Sequence, residues 1–205
     1  MSKFMRLAKS TGVATGLALV AMTSAPALAD HHAGAAEAVT VGGAEMLPTR
    51  NIVENASNSP IHTTLVAAVA QAGLVDTLAS PGPFTVFAPT NEAFGLLGDE
   101  TITALMQDAA QAQLAQILTY HVVAGAVDAA TLIGMIEEAG GEVTLTTVEG
   151  SPLVASLDNG AVALRDELGG VSYVTQTDVP QSNGVIHVIN GVLVPQPEAA
   201  AGADD

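Results

Sequence analysis

Cysteine and tryptophan are absent from this chain, and only five lysines and arginines stand against twenty-one acidic residues. Each lack excludes something. Without Cys there is no disulfide, no iron–sulfur cluster, no thiol nucleophile, no Cys-based zinc site and no lipid-modified N-terminal cysteine. Stability has to come from a core, and a domain of about 150 residues buries roughly 70% of the surface its unfolded chain exposes. With two Tyr and four Phe, that core must be built from Val, Leu, Ile and Ala. The shortage of cations argues against nucleic acid and anionic lipid as partners, because an acidic surface repels phosphates. After the N-terminal region, no stretch is long and apolar enough to span a bilayer.

What is present begins with an export signal over residues 1–29. Lys3, Arg6 and Lys9 make a basic start, Val13 to Met22 is uncharged and apolar, and Ala27-Leu28-Ala29 is a small-x-small cleavage site. An uncleaved anchor is the competing reading of the same run. Cleavage places the protein in the periplasm, outside the cell or at its surface. It leaves Arg50 and Arg165 as the basic residues against all twenty-one acids, a formal charge of −19. It also exposes Asp30-His31-His32, whose free amine, amide nitrogens and third-position imidazole could make a square-planar Cu(II) or Ni(II) site. An incidental polar leader is the simpler reading of those three residues, and no metal or cofactor is assigned.

Residues 30–47 are rich in Ala and Gly without a period and read as a linker. Residues 196–205, with their Pro, Ala and acids, read as a disordered acidic tail. Between them, 48–195 is the folded unit. Its first half is mostly helical. Ser59 is placed to cap a helix with Pro60 at its first position, and Ile61, Leu65, Val66 and Val69 follow at helical spacing. Leu74, Val75 and Leu78 make a short second helix. Phe84 to Ala88 alternates as a strand, and Thr90 caps the helix of Ala93, Phe94 and Leu97. Further helical faces are Ile102, Leu105 and Met106, then Leu114, Ile117 and Leu118. Tyr120 to Val123 reads as a short strand, and Asp128 caps the helix of Leu132, Ile133 and Ile136.

The second half changes period. Val143 to Thr147 alternates, and Leu153–Leu157 and Ala161–Leu164 flank Asp158-Asn159-Gly160, the strongest short hairpin signal. Val171–Thr177 is a strand, and Val185–Val194 gives two more about Asn190-Gly191. Helices first and strands later predict an α+β fold with a mostly antiparallel sheet.

Three segments in order resemble the signature boxes of fasciclin domains. They are Phe84-Thr85-Val86-Phe87-Ala88-Pro89-Thr90-Asn91-Glu92-Ala93-Phe94, then Leu118-Thr119-Tyr120-His121-Val122-Val123, then Asn183-Gly184-Val185-Ile186-His187-Val188-Ile189 with Val192-Leu193-Val194-Pro195. The resemblance covers essentially the whole folded unit. It implies a β-wedge with several short helices packed on it, and a non-enzymatic role in cell-surface adhesion or in protein or carbohydrate association. It also implies adhesive sites at Tyr120, His121, Val122 and Val123, and at Asp178-Val179. The chain departs from the adhesive animal pattern at the second place: Thr177 stands for a Lys, Val179 for an Ile and Pro180 for a Leu. That puts integrin binding in question.

The residues alone give a similar ranking. His121 and His187 each sit in an apolar strand, where a neutral imidazole can bond to backbone on both sides, and His62 reads as a surface residue early in its helix. The chain has no Gly-x-Ser-x-Gly, no His-Glu-x-x-His, no phosphate loop and no dinucleotide fingerprint, and its carboxylates are scattered, so no convergent catalytic set is legible. The expected function is an exported binding module working through an exposed apolar strip at Tyr120–Val123. Its partner would be a cell-surface or matrix protein or carbohydrate, with weak self-association as a means of cross-linking. The alternative is a carrier of a small apolar or aromatic ligand held in a groove between sheet and helices. An enzyme would need a cleft joining His121 or His187 to a carboxylate.

Overall fold

The computed structural model describes residues 38–196. The segment expected to be an export signal, the Asp30-His31-His32 leader and the segment expected to be a tail, beyond Gln196, lie outside the described residues. The chain opens with a small hairpin, β1 (Val39–Val41) and β2 (Ala44–Met46), paired antiparallel. These residues fall inside the segment read as a linker. The hairpin joins the fold because Val41 and Met46 insert into the core, each 1% exposed.

Three short helices follow: α1 (Ile52–Asn58), α2 (Thr63–Gln71) and α3 (Val75–Ala79). Asn51 begins α1 with a capping box: its side chain accepts from the Glu54 amide, and Glu54 accepts from the Asn51 amide. The expected Ser59 cap with Pro60 in the first turn is not what forms. Ser59 closes α1, and its hydroxyl lies 2.8 Å from His62 Nδ1. α2 starts three residues later because Asn91, distant in sequence, supplies the cap: its Oδ1 accepts from the Thr64 amide and the Thr63 hydroxyl.

Then come β3 (Phe84–Pro89), α4 (Asn91–Gly95), α5 (Asp99–Leu105), a short 3-10 turn, α6 (Gln111–Tyr120), β4 (Val122–Ala124) and α7 (Ala129–Glu138). Thr90 and Asp128 cap α4 and α7 through their side chains, as expected. The remaining strands are β5 (Glu142–Thr146), β6 (Pro152–Asp158), β7 (Ala161–Arg165), β8 (Val171–Gln181) and β9 (Gly184–Ile189). The Asp158-Asn159-Gly160 hairpin joins β6 to β7, with Asn159 and Gly160 both at positive φ. β8 runs four residues past the expected Thr177, and Val192–Val194 is not a strand.

These strands form a seven-stranded sheet in the order β4-β3-β9-β8-β7-β6-β5. Every neighbouring pair is antiparallel except β3 and β9. The two edges also meet: Val123 bridges Thr147, and the Val148 amide donates to Val122 O at 2.7 Å. The sheet therefore closes towards one end into a wedge. The parallel seam is tight. A Cβ on Gly184 would sit 2.0 Å from Phe84 O, so only glycine fits there.

The period of 2 in the central strands divides the core into two clusters. Val86 and Ala88 of β3, Val122 of β4, and Ile186 and Val188 of β9 face α1, α2 and α6. Phe87, Val123 and Ile189 face the opposite way, onto Tyr120, Leu132, Ile136, Leu153 and Leu164. The expected split of β9 holds, with His187 and Ile189 on one face and Ile186 and Val188 on the other, and all four are buried.

Candidate functional site

The segment expected to be an exposed adhesive strip is interior. Tyr120, His121, Val122 and Val123 are between 0 and 5% exposed. Tyr120 is the last residue of α6, His121 is its C-cap, and only Val122 and Val123 are strand. The reason is geometric. The apolar face of α6, with Leu114, Ile117 and Leu118 buried, sinks its C-terminus into the domain. β4 then pairs with β3 on one edge and bridges Thr147 on the other, which encloses Val123, while Val122 faces α1, α2 and α6 and Ala124 is exposed. The Tyr120 hydroxyl donates to Pro152 O at 2.9 Å. Burial, with Glu167 and Asp166 nearby, pushes its pKa up to about 12.

His121 bonds on both sides, as expected for a buried imidazole. Nδ1 donates to Ile117 O at 2.8 Å, and Nε2 accepts from the Leu193 amide at 3.0 Å. That tautomer is the one consistent with both partners. Burial lowers its pKa to about 4, against the smaller opposing effects of the Ile117 carbonyl and Asp166. His187 does the same work in the third box: Nε2 donates to Val127 O at 2.8 Å and Nδ1 accepts from the Asp178 amide at 3.3 Å. Its ring stacks on Phe87 at 5.7 Å between centroids. Desolvation holds its pKa below the ordinary histidine value.

His62 is the correction among the histidines. It is 2% exposed rather than on the surface, because the turn from Ser59 folds it inward. Desolvation lowers its pKa to about 4. Asp178 and Val179 part company. Val179 is fully buried, while Asp178 is exposed at a bulge in β8 with φ +55°. Its carboxylate accepts from the Ala129 amide at 2.7 Å, so Asp178 ties the bulge to the first turn of α7. Both histidines of the signature boxes have their ring nitrogens committed to backbone, and neither holds a carboxylate or a hydroxyl nucleophile. The glycosylation-like Asn55-Ala56-Ser57 is closed in the fold: Asn55 is fully buried and bonded to Leu47 and Gln181. Among the described residues, no group of three His, Asp or Glu is placed to hold a metal ion.

The feature that sequence reasoning located only in outline is an apolar groove of about 220 Å³ between α1, α2 and α3 and the sheet. Ile52 and Val53 form one wall, Val66 and Val69 another, Val75 stands at the mouth, and Val86 and Val122 form the floor. Asn183 holds the walls apart. From the β8–β9 turn it accepts from the Ile52 amide at 3.1 Å and donates to Leu78 O and Ser80 O at 2.8 and 2.9 Å. An unfilled apolar space of this size is costly: at about 24 cal/mol per Å³, a closed cavity of such volume would cost ~5 kcal/mol. Being open at one side, the groove costs less, yet the core does not collapse into it. A second concavity of about 380 Å³, at Pro81–Pro83 and Gln181–Gly184, is wider and has mixed polar and apolar walls.

Residues 60–195 match the Fasciclin domain family. The chain belongs to that family. It is 44% identical over 144 residues to the uncharacterized protein sll1735 of Synechocystis sp., covering 70% of this chain and 97% of that one. It is 39% identical over 145 residues to the immunogenic protein MPB70 of Mycobacterium bovis, covering 68% and 66% of the two chains. The fold resembles a fasciclin domain pair from the insect cell adhesion molecule Fasciclin I, with a TM-score of 0.64 at 20% identity, covering 72% of this chain and 52% of that one. The fasciclin boxes of this chain are therefore the architecture of the wedge: the first is the β3–α4 corner, the second the α6–β4 junction, the third β9. Fasciclin-domain proteins generally act in adhesion and matrix association rather than catalysis. Among the described residues no helix is long and apolar enough to cross a membrane.

Proposed function

We propose that this fasciclin-domain protein is an exported, non-catalytic binding module that associates with molecules at the cell surface or outside the cell. Its contact region is the face formed by α1, α2 and α3 around the groove, in place of the Tyr120–Val123 strip. The observation that carries this reading is where access lies. Tyr120 and Val123 are enclosed, and His121 and Val122 are reached as part of the groove lining, whereas Val53, Val66 and Val75 present apolar side chains to solvent along its walls. Concave, mostly apolar sites are where ligands are generally taken.

A second reading, a carrier of a small apolar molecule, is favoured by the same groove, because a cavity suits a small ligand better than a flat partner.

The test is surface capture by the purified protein beside two variants that fill the groove from opposite rims, Ala70→Phe and Ser57→Phe, both at exposed positions in α2 and α1. Loss of capture by folded variants supports the groove face. Undiminished capture by both moves the interface elsewhere.

A further inference from the structure

The groove is unusual in what it withholds. Two residues of its lining, Ser57 and His121, carry polar hydrogens, and both are spent. The Ser57 hydroxyl donates to Val53 O at 2.7 Å. His121 gives its proton to Ile117 O and takes one from the Leu193 amide. The rest of the lining is Val, Leu, Ile, Ala and Phe. A ligand inside would find no donor for a carboxylate, phosphate or sulfonate, and burying an unpaired ion costs far more than burying an unpaired amide.

The surroundings act in the same direction. Arg50 and Arg165 are the cations among the described residues. Arg165 pairs with Glu142 at 3.2 Å, and neither arginine belongs to the lining. Glu54 and Asp76 are exposed and follow directly on the lining residues Val53 and Val75. Acid at the rim and no cation within disfavour an anionic amphiphile twice over.

We propose that the groove takes an uncharged, hydrocarbon-bodied small molecule and rejects anions built on the same skeleton. This rests on the reading of the groove as the binding face and names its ligand class. Size sets the scale: an apolar cavity of about 150 Å³ holds a benzene, so 220 Å³, about one and a half times that, encloses a two-ring body or an equivalent length of aliphatic chain, with any further ring projecting through the open side.

The experiment uses two probes that share one ring system, N-phenyl-1-naphthylamine and its sulfonated counterpart anilinonaphthalene sulfonate. Each is titrated into purified full-length protein at neutral pH, with native circular dichroism confirmed for every variant. The expected result is saturable one-to-one binding of the neutral probe, at least about tenfold tighter than the sulfonate, and weakened at least about tenfold in both Ala70→Phe and Ser57→Phe. Equal affinity for the two probes, with both lost in the filled variants, overturns the selection by charge and leaves the groove as binding face. Absence of neutral-probe binding, or binding that neither filled variant weakens, overturns the hydrocarbon occupant. Surface capture that still depends on the groove would then show that the binding face survives, and capture independent of it would show that both readings fall.

Discussion

The two sides of the central strands are built from similar residues and behave differently. On one side, Phe87, Tyr120, Val123 and Ile189 are closed in with Leu153, Leu164 and Leu193, and every polar atom reaching into that cluster has a partner. On the other, Val86 and Val122 form the floor of a groove whose walls are three short helices spaced by Asn183. The signature boxes supply both sides, because alternate residues of β3, β4 and β9 face opposite ways. What sets the second side apart is α1, α2 and α3, which lie outside the boxes and carry no motif, only aliphatic residues at helical spacing. The signature therefore marks the sheet and its corners, and the space for a ligand lies where the three helices outside it leave the packing open.

Changes in the sheet and at its buried bonds should cost most. Gly184→Ala brings a Cβ to 2.0 Å from Phe84 O across the parallel seam, with no flexible side chain to yield. The expected loss is more than about 4 kcal/mol, read as a large drop in the urea midpoint or failure to fold. His121→Ala leaves the Ile117 carbonyl and Leu193 amide unpaired in the interior and opens a cavity, and about 3–4 kcal/mol should be lost. A stable His121→Ala would break the comparison.

Acid should act through the buried histidines. His62 and His121 have folded pKa values of about 4 against 6.5 in the unfolded chain, and His187 is shifted in the same direction. The unfolded chain therefore takes up protons first as pH falls. Stability should be whole above pH 6.5 and decline through the window down to 4, by about 3 kcal/mol for each of His62 and His121 at the lower end. Urea midpoints across that range check it, and a flat profile would mean that these imidazoles are not held neutral. Smaller still, Tyr120→Phe removes only the bond to Pro152 O and should cost about 1 kcal/mol. Least of all, Ala70→Phe at the groove rim should change stability by under about 0.5 kcal/mol while blocking the groove.

How much of this could be read from the chain follows from what each signal depends on. Thr90 and Asp128 were legible as caps, and Asp158-Asn159-Gly160 as a hairpin, because those preferences are local. The division of β9 into two faces was legible because its period is exact over five residues. Helix α1 was not, since Ile52 and Val53 sit alone among polar residues and the helix is secured by Asn51 locally and by Asn183 from 131 positions away. The Ser59–Pro60 start failed for the same reason: the amides of α2 are capped by Asn91, which is far off in sequence. Burial of Tyr120–Val123 depends on the sheet edges meeting at Thr147, which no local pattern encodes. The groove is the least legible feature of all, because it is set by what three helices leave unfilled.

The most direct measurement is surface capture by three folded proteins side by side: wild type, Ala70→Phe and Tyr120→Phe. The account predicts that Tyr120→Phe captures as wild type does and that Ala70→Phe loses capture. Loss with Tyr120→Phe and full retention with Ala70→Phe would contradict it, returning the binding site to the α6–β4 junction.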